Sequence, residues 1–287
     1  MSEIQFDYAQ IGGVKLHYAK AGNGEQLVLC LHGFPEFWYS WRHQLTGLSD
    51  EFTVVAPDLR GYNWSDKPSS VADYKLDKLV DDCLGLIRHF GHEKAAIVAH
   101  DWGAAIAWSL AEHYPEAVSK LVCMQVPPPS VWRKNLTFRQ ALASWYMLFF
   151  QIPALPEWIL SQNDFVIGEK LFRDAAANPA VFSDEDIAKY KESWREPGAL
   201  TAAINYYRAN ALDKFFQSRE IVKIKVPTLF IYGEKDTAIL PETVQNVKEA
   251  VDAHYEEVRV PDSGHWVQQE AAEAVNDTLR EFLSEKT

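Results

Sequence analysis

Several short runs of this chain are apolar at consecutive positions, and that limits the fold more than any other feature. Leu27-Val28-Leu29-Cys30-Leu31 and Ala95-Ala96-Ile97-Val98-Ala99 show no polar alternation. A strand of that kind has no solvent face, so it predicts a sheet covered on both sides. Phe52–Ala56, Val118–Met124, Val226–Tyr232 and Tyr255–Val260 add further strands, and Ile4–Tyr8 and Val14–Ala19 flank Gly12-Gly13, a hairpin signal. Helical periodicity follows over about Leu76–Phe90, with Gly91 as its stop. Further helices are predicted over about 104–113, before Tyr114-Pro115, and over about 271–283. Strands alternating with helices imply an α/β protein with a mostly parallel sheet.

The alternation stops at Pro127-Pro128-Pro129 and resumes at Val226. The stretch between carries helical periodicity, four tryptophans and no convincing strand, and reads as a helical insertion. The 287 residues suit two domains, or one α/β core with such an insertion. Net charge is −12 with no basic block, so a phosphate backbone would be repelled and no nucleic-acid partner is expected. The three cysteines are far apart in sequence, which excludes a disulfide scaffold or a thiolate metal cluster. No run of 18 apolar residues and no basic-then-apolar leader occurs, so neither a membrane span nor a secretory signal is expected, and the cytoplasm is favoured. Oligomeric state stays open between monomer and homodimer.

Ala99-His100-Asp101-Trp102-Gly103 joins a buried strand to a helix through a turn with small residues at both ends. That is the pattern of a nucleophile elbow, here with Asp in place of Ser. The plain alternative is a helix N-cap. A carboxylate nucleophile attacks an sp³ carbon and forms an ester whose carbonyl belongs to the protein. Hydrolysing that ester needs an oxyanion hole and a general base. His32-Gly33-Phe34-Pro35 follows a buried strand, so the Phe34 and Trp102 N–H groups are the candidate donors, an ordinary turn being the alternative. Asp236 and His265 each follow a strand, in the chain order nucleophile, acid, histidine. Asp236 could instead cap a helix, and Asp262 is a rival partner for His265. His100 has a structural hydrogen bond as its expected role. No nucleotide-binding or metal-binding motif occurs, and no cofactor or metal is expected.

HGFPEFWYSWRHQ at 32–44, APDLRGYNWSDKP at 56–68, AHDWGAAIAW at 99–108, YGEKD at 232–236 and SGHW at 263–266 together resemble the epoxide hydrolases of the α/β-hydrolase superfamily, near the soluble branch. The likeness spans the chain. It implies an α/β-hydrolase fold with an eight-stranded, mostly parallel sheet and a helical cap, dividing the chain into 1–126, 127–222 and 223–287. It also implies that Tyr146, in WYMLFFQ, and Tyr207, in NYYRAN, bind the epoxide oxygen, with Tyr206 as the register alternative. The implied reaction turns a small apolar epoxide and water into a vicinal diol through an Asp101 ester, hydrolysed by water that His265 and Asp236 activate. Haloalkane and haloacid dehalogenases share this frame. Phe34, Trp102 and Ala105 stand where dehalogenase signatures would be read, and no arginine is presented there. A non-catalytic ligand-binding module is the second alternative. A serine esterase is disfavoured because position 101 is not Ser and Ser109 lies inside the following helix. Asn63 replaces the commoner Gly in the GYNWSD loop.

Overall fold

The structure is a computed structural model and describes residues 3–211 and 222–285. Eight strands make one sheet in the order β1-β2-β4-β3-β5-β6-β7-β8. They are β1 Gln5–Ile11, β2 Val14–Ala21, β3 Leu27–Leu31, β4 Thr53–Pro57, β5 Ala95–His100, β6 Val118–Met124, β7 Thr228–Gly233 and β8 Tyr255–Val260. Gly12 and Gly13, at φ 52° and 89°, form the two-residue turn between β1 and β2, with Ile11 paired to Val14. Positive φ at both positions matches the twist of the strands it joins. β2 runs antiparallel to β1 and β4, and every other pair is parallel.

Both faces of the sheet are covered, which is why β3, β4, β5 and β7 are buried at every residue. On one face lie α2 (Leu76–His89) and α3 (Trp102–His113). They press Leu79, Cys83, Ile106 and Leu110 onto Leu29, Leu31 and Ile97. The other face receives Leu45 of α1 (Arg42–Gly47) and, from near the C-terminus, Val275, Leu279 and Phe282. Each such side chain contributes roughly 1.5–3 kcal/mol by leaving water. Cys30, Cys83 and Cys123 are buried and unpaired, with burial pushing each thiol's pKa up.

Between β6 and β7 the described residues hold helices and no strand: α4 Pro129–Lys134, α5 Phe138–Ala143, α6 Trp145–Phe149, α7 Leu155–Asp174, α8 Asp184–Arg195 and α9 Ala199–Asn210. The predicted insertion runs on through 212–221, which lie outside the described residues. α7 is interrupted where Asn163, Asp164 and Phe165 take left-handed φ. Ser183 and Asp186 form a reciprocal capping box that starts α8. A third apolar cluster, including Phe37, Phe172, Tyr190, Trp194 and Trp266, packs these helices onto the core. After β8 come α10 (Val267–Glu270) and α11 (Ala272–Ser284). No described helix is long and apolar enough to cross a membrane.

Candidate active site

β5 ends at His100 and α3 starts at Trp102, two residues earlier than the periodicity predicts. Asp101 makes the whole turn alone, at φ 52° and ψ −119°. A non-glycine residue held there costs on the order of 1–3 kcal/mol and persists only where its surroundings over-determine it. Two glycines do so. A Cβ on Gly103 would overlap the Leu31 carbonyl, and one on Gly33 would overlap the Asp101 side chain. The Asp101 carboxylate makes no cap hydrogen bond to α3, so the N-cap alternative fails. Its Oδ1 accepts the Phe34 N–H at 2.8 Å. Trp102 is the first residue of α3, so its N–H belongs to the helix N-terminus that meets the elbow. Gly33→Ala is expected to lower kcat about 100-fold by displacing the carboxylate. Steady-state kinetics beside a melting curve checks this.

His265 lies beside Asp101, with Nε2 3.6 Å from Oδ2. Its Nδ1 is 2.8 Å from Asp236 Oδ2. Asp236 Oδ1 accepts the Ala238 and Ile239 N–H groups at 2.7 and 3.0 Å. One oxygen therefore holds the local turn while the other orients the imidazole, so capping and orienting are not exclusive. Asp262 is exposed and pairs with Lys235 instead. Burial pushes the Asp101 pKa up, but hydrogen bonding to His265, the charges of His265 and His100, and the Phe34 N–H outweigh it and hold the carboxyl below its usual range. Burial likewise pulls His265 down, yet Asp236 and Asp101 together raise it well above an ordinary imidazole. The two carboxyl groups therefore favour a proton on the imidazole between them. The His265 backbone N–H donates to Ala175 O at 2.9 Å, and the Trp266 ring stacks on Phe172 at 4.2 Å, so the end of α7 fixes the histidine loop.

Consecutive residues of α9 point in different directions, and this separates the two tyrosines there. The Tyr206 hydroxyl donates to Arg60 O at 2.7 Å and is committed to a core loop. The Tyr207 ring stands edge-on to Trp102, Phe34 and Tyr146, with centroids 5.1, 5.4 and 5.8 Å away. Burial raises both the Tyr146 and the Tyr207 pKa, and the charge of Asp101 adds to the rise. Both phenols therefore keep their protons at neutral pH and can act as donors.

Residues 26–272 match the family model described as alpha/beta hydrolase fold. The chain is 38% identical to AB hydrolase superfamily protein YfhM of Bacillus subtilis over 99% of both chains. It is 39% identical to epoxide hydrolase 1 of Caenorhabditis elegans over 96% of this chain and 70% of the relative. An epoxide hydrolase from Bacillus megaterium, solved with an inhibitor, superposes with a TM-score of 0.89 at 34% identity, covering 97% of this chain and all of that one. The chain belongs to the epoxide hydrolase family of α/β-hydrolases.

Two parts of this epoxide hydrolase family site, Glu36 and Gln125, escaped the sequence reading. Glu36 is fully buried, and its oxygens accept from Gly33 N–H, Gln268 Nε2 and Gln269 Nε2 and lie 2.7 Å from His100 Nδ1. The other nitrogen of His100 is 2.8 Å from His265 O. One buried carboxylate thus links the loop of Phe34, the elbow and the histidine loop. Gln125, at φ 66°, donates to Asp236 Oδ2 at 2.7 Å and to Gly264 O at 2.9 Å. Asn63 takes φ 40°, explaining why Gly is the commoner choice there, and donates to Asp58. A polar residue directly after an apolar strand was a signal for Gln125; a glutamate in a loop gives none, because it reads as a solvated charge. Gln125→Ala is expected to lower kcat about tenfold while leaving KM nearly unchanged, since the glutamine touches the orienting acid and not the pocket. Among the described residues, His254, Glu256 and Glu285 have donor atoms within 4.8 Å of one another. They sit along β8 and the C-terminal end, not at the elbow.

Proposed function

We propose that this enzyme hydrolyses an apolar epoxide to a vicinal diol through a covalent ester on Asp101. The insertion over 127–222 acts as its cap. Asp101 Oδ1 is held by the Phe34 N–H, so the nucleophile is Oδ2, which lies 3.6 Å from His265 Nε2. It attacks an epoxide carbon, the C–O bond breaks, and the electron pair moves to the ring oxygen. Tyr146 and Tyr207 donate to that oxygen as its charge grows, and one of them passes it a proton, leaving a hydroxy ester and a tyrosinate. His265 then takes a proton from water, whose oxygen attacks the Asp101 carbonyl carbon. The Phe34 and Trp102 N–H groups hold the oxyanion. Collapse expels the diol oxygen, which takes the proton back from His265; Asp101 retains one oxygen from water, and the proton it sheds on ionising restores the tyrosine. Asp236 holds the imidazole tautomer throughout.

The observation that carries this reading is the pair of protonated phenols meeting edge-on beside an elbow carboxylate. Such donors suit an oxygen that becomes an alkoxide and remains in the product. Where a dehalogenase would present a halide-holding amide or guanidinium, this chain presents the Phe34 ring against Phe150 and Tyr207. The enzyme is expected to form diol from a styrene-oxide-like epoxide and to release no halide from a haloalkane or haloacid. Halide release without diol formation would assign it to the dehalogenases.

The opposite shifts of Asp101 and His265 also predict how pH acts. Asp101, with its pKa below the usual carboxylate range, stays ionised to low pH, so ester formation persists as pH falls. Ester hydrolysis needs neutral His265. Alkylation removes the Asp101 charge that helps raise His265, and so lowers the pKa of that imidazole at the step where a base is required. Acidification therefore slows hydrolysis first, and the ester accumulates in wild-type enzyme. Rapid-quench mass measurement across pH reads this out; two steps declining in parallel would contradict it.

A further inference from the structure

The outer side of α5, α6 and the start of α7 carries a run of large apolar side chains open to solvent. Phe138 and Leu148 are each 79% exposed, and Leu142, Trp145, Ile152 and Trp158 range from 44% to 60%. All six fall within residues 138–158, across two short helices and the start of a third. The inner side of the same helices buries Gln140 and Phe150 and carries Tyr146. At about 150–250 Å² for a whole side chain, the six expose on the order of 700 Å². The largest apolar patch of a typical monomer is about 300–600 Å². A stable interface buries about 800 Å² per partner.

Charge decides what kind of partner fits. The chain carries −12, so two copies repel over most of their surface. Yet no Asp or Glu occurs between Glu116 and Glu157. At the margin, Lys134 pairs with Glu249 at 2.7 Å and Arg139 with Glu242 at 3.5 Å. An apolar centre inside a rim of internally paired charges is the anatomy of a protein–protein contact. An anionic bilayer would need unpaired cations at that rim, and there Glu242 and Glu249 would oppose it.

We propose that this face is the interface of a two-fold dimer of this chain, with the exposed apolar side chains of α5 and α6 of one copy packed on those of the other. Such a dimer braces from outside the five-residue helix that bears Tyr146. The claim concerns assembly and does not depend on the reaction. Sedimentation velocity from about 0.1 to about 100 µM, a range chosen to span weak and tight association, tests it. A species of twice the monomer mass is expected in wild type. Leu148→Glu is expected to raise the dissociation constant at least about 30-fold, with an unchanged far-UV spectrum. Trp145→Ser supplies the same comparison if Leu148→Glu fails to fold. Monomeric wild type throughout the range, or a dimer that both variants leave intact, overturns the proposal. So does a monomeric wild type that co-floats with phosphatidylcholine vesicles, which would assign the face to lipid.

Discussion

Incubated with an epoxide, His265→Gln is expected to stop at the ester and to gain the mass of one substrate on the peptide containing Asp101. Gln keeps much of the volume of the imidazole but cannot take a proton from water. The attacking carboxylate does not need that proton transfer, and its Oδ1 remains held by Phe34. Ring opening therefore survives while hydrolysis is lost. Steady-state turnover should fall about 10³–10⁴-fold, the upper range for a positioned general base. The loss of the imidazole beside Asp101 also lets its pKa rise, because hydrogen bonding to His265 is the largest of the influences that lower it. Adduct formation should therefore weaken at acid pH in this variant more than in wild type. A variant with neither adduct nor turnover, but a normal melting transition, would remove His265 from the role of base and place it in ring opening.

The complementary variant is Tyr146→Phe/Tyr207→Phe. Both rings pack edge-on, Tyr207 against Trp102 and Phe150 and Tyr146 against Phe150, and Phe retains those contacts. The double substitution removes hydroxyls and little else. Each hydroxyl that stabilises a developing oxyanion is worth about 10²–10³-fold. Losing both is expected to slow ester formation about 10⁴-fold, with less than full additivity because the two act on one oxygen. Ester hydrolysis should be untouched, since the Phe34 and Trp102 amides serve that step. In single-turnover kinetics the double variant loses the first phase and His265→Gln the second. A double variant with near wild-type ring opening would return the tyrosines to simple packing.

How far the sequence carried these expectations follows from how local each determinant is. Strands buried on both faces announce themselves as unbroken apolar runs, so β3 and β5 were placed within a residue. Asp101 was legible because a tight turn demands small neighbours, and Ala99 and Gly103 supply them. The start of α3 was missed by two residues because the elbow spends one residue where an ordinary turn spends several. The choice between Tyr206 and Tyr207 was not legible. It depends on which of two neighbours meets Arg60 across 146 residues of chain. Glu36 was invisible for a related reason. Its four partners come from three separate segments, and no local pattern marks a glutamate that is hydrogen-bonded from all of them.

The covalent bond to Asp101 is tested most directly by one turnover in water enriched in oxygen-18, with enzyme in excess over epoxide. If the carboxylate attacks carbon, the new diol oxygen comes from Asp101. The first-turnover diol is then unlabelled, and the heavy oxygen appears in the peptide spanning Asp101. Heavy oxygen in the diol with none in that peptide would mean that water attacks the epoxide directly, and the ester mechanism would fall.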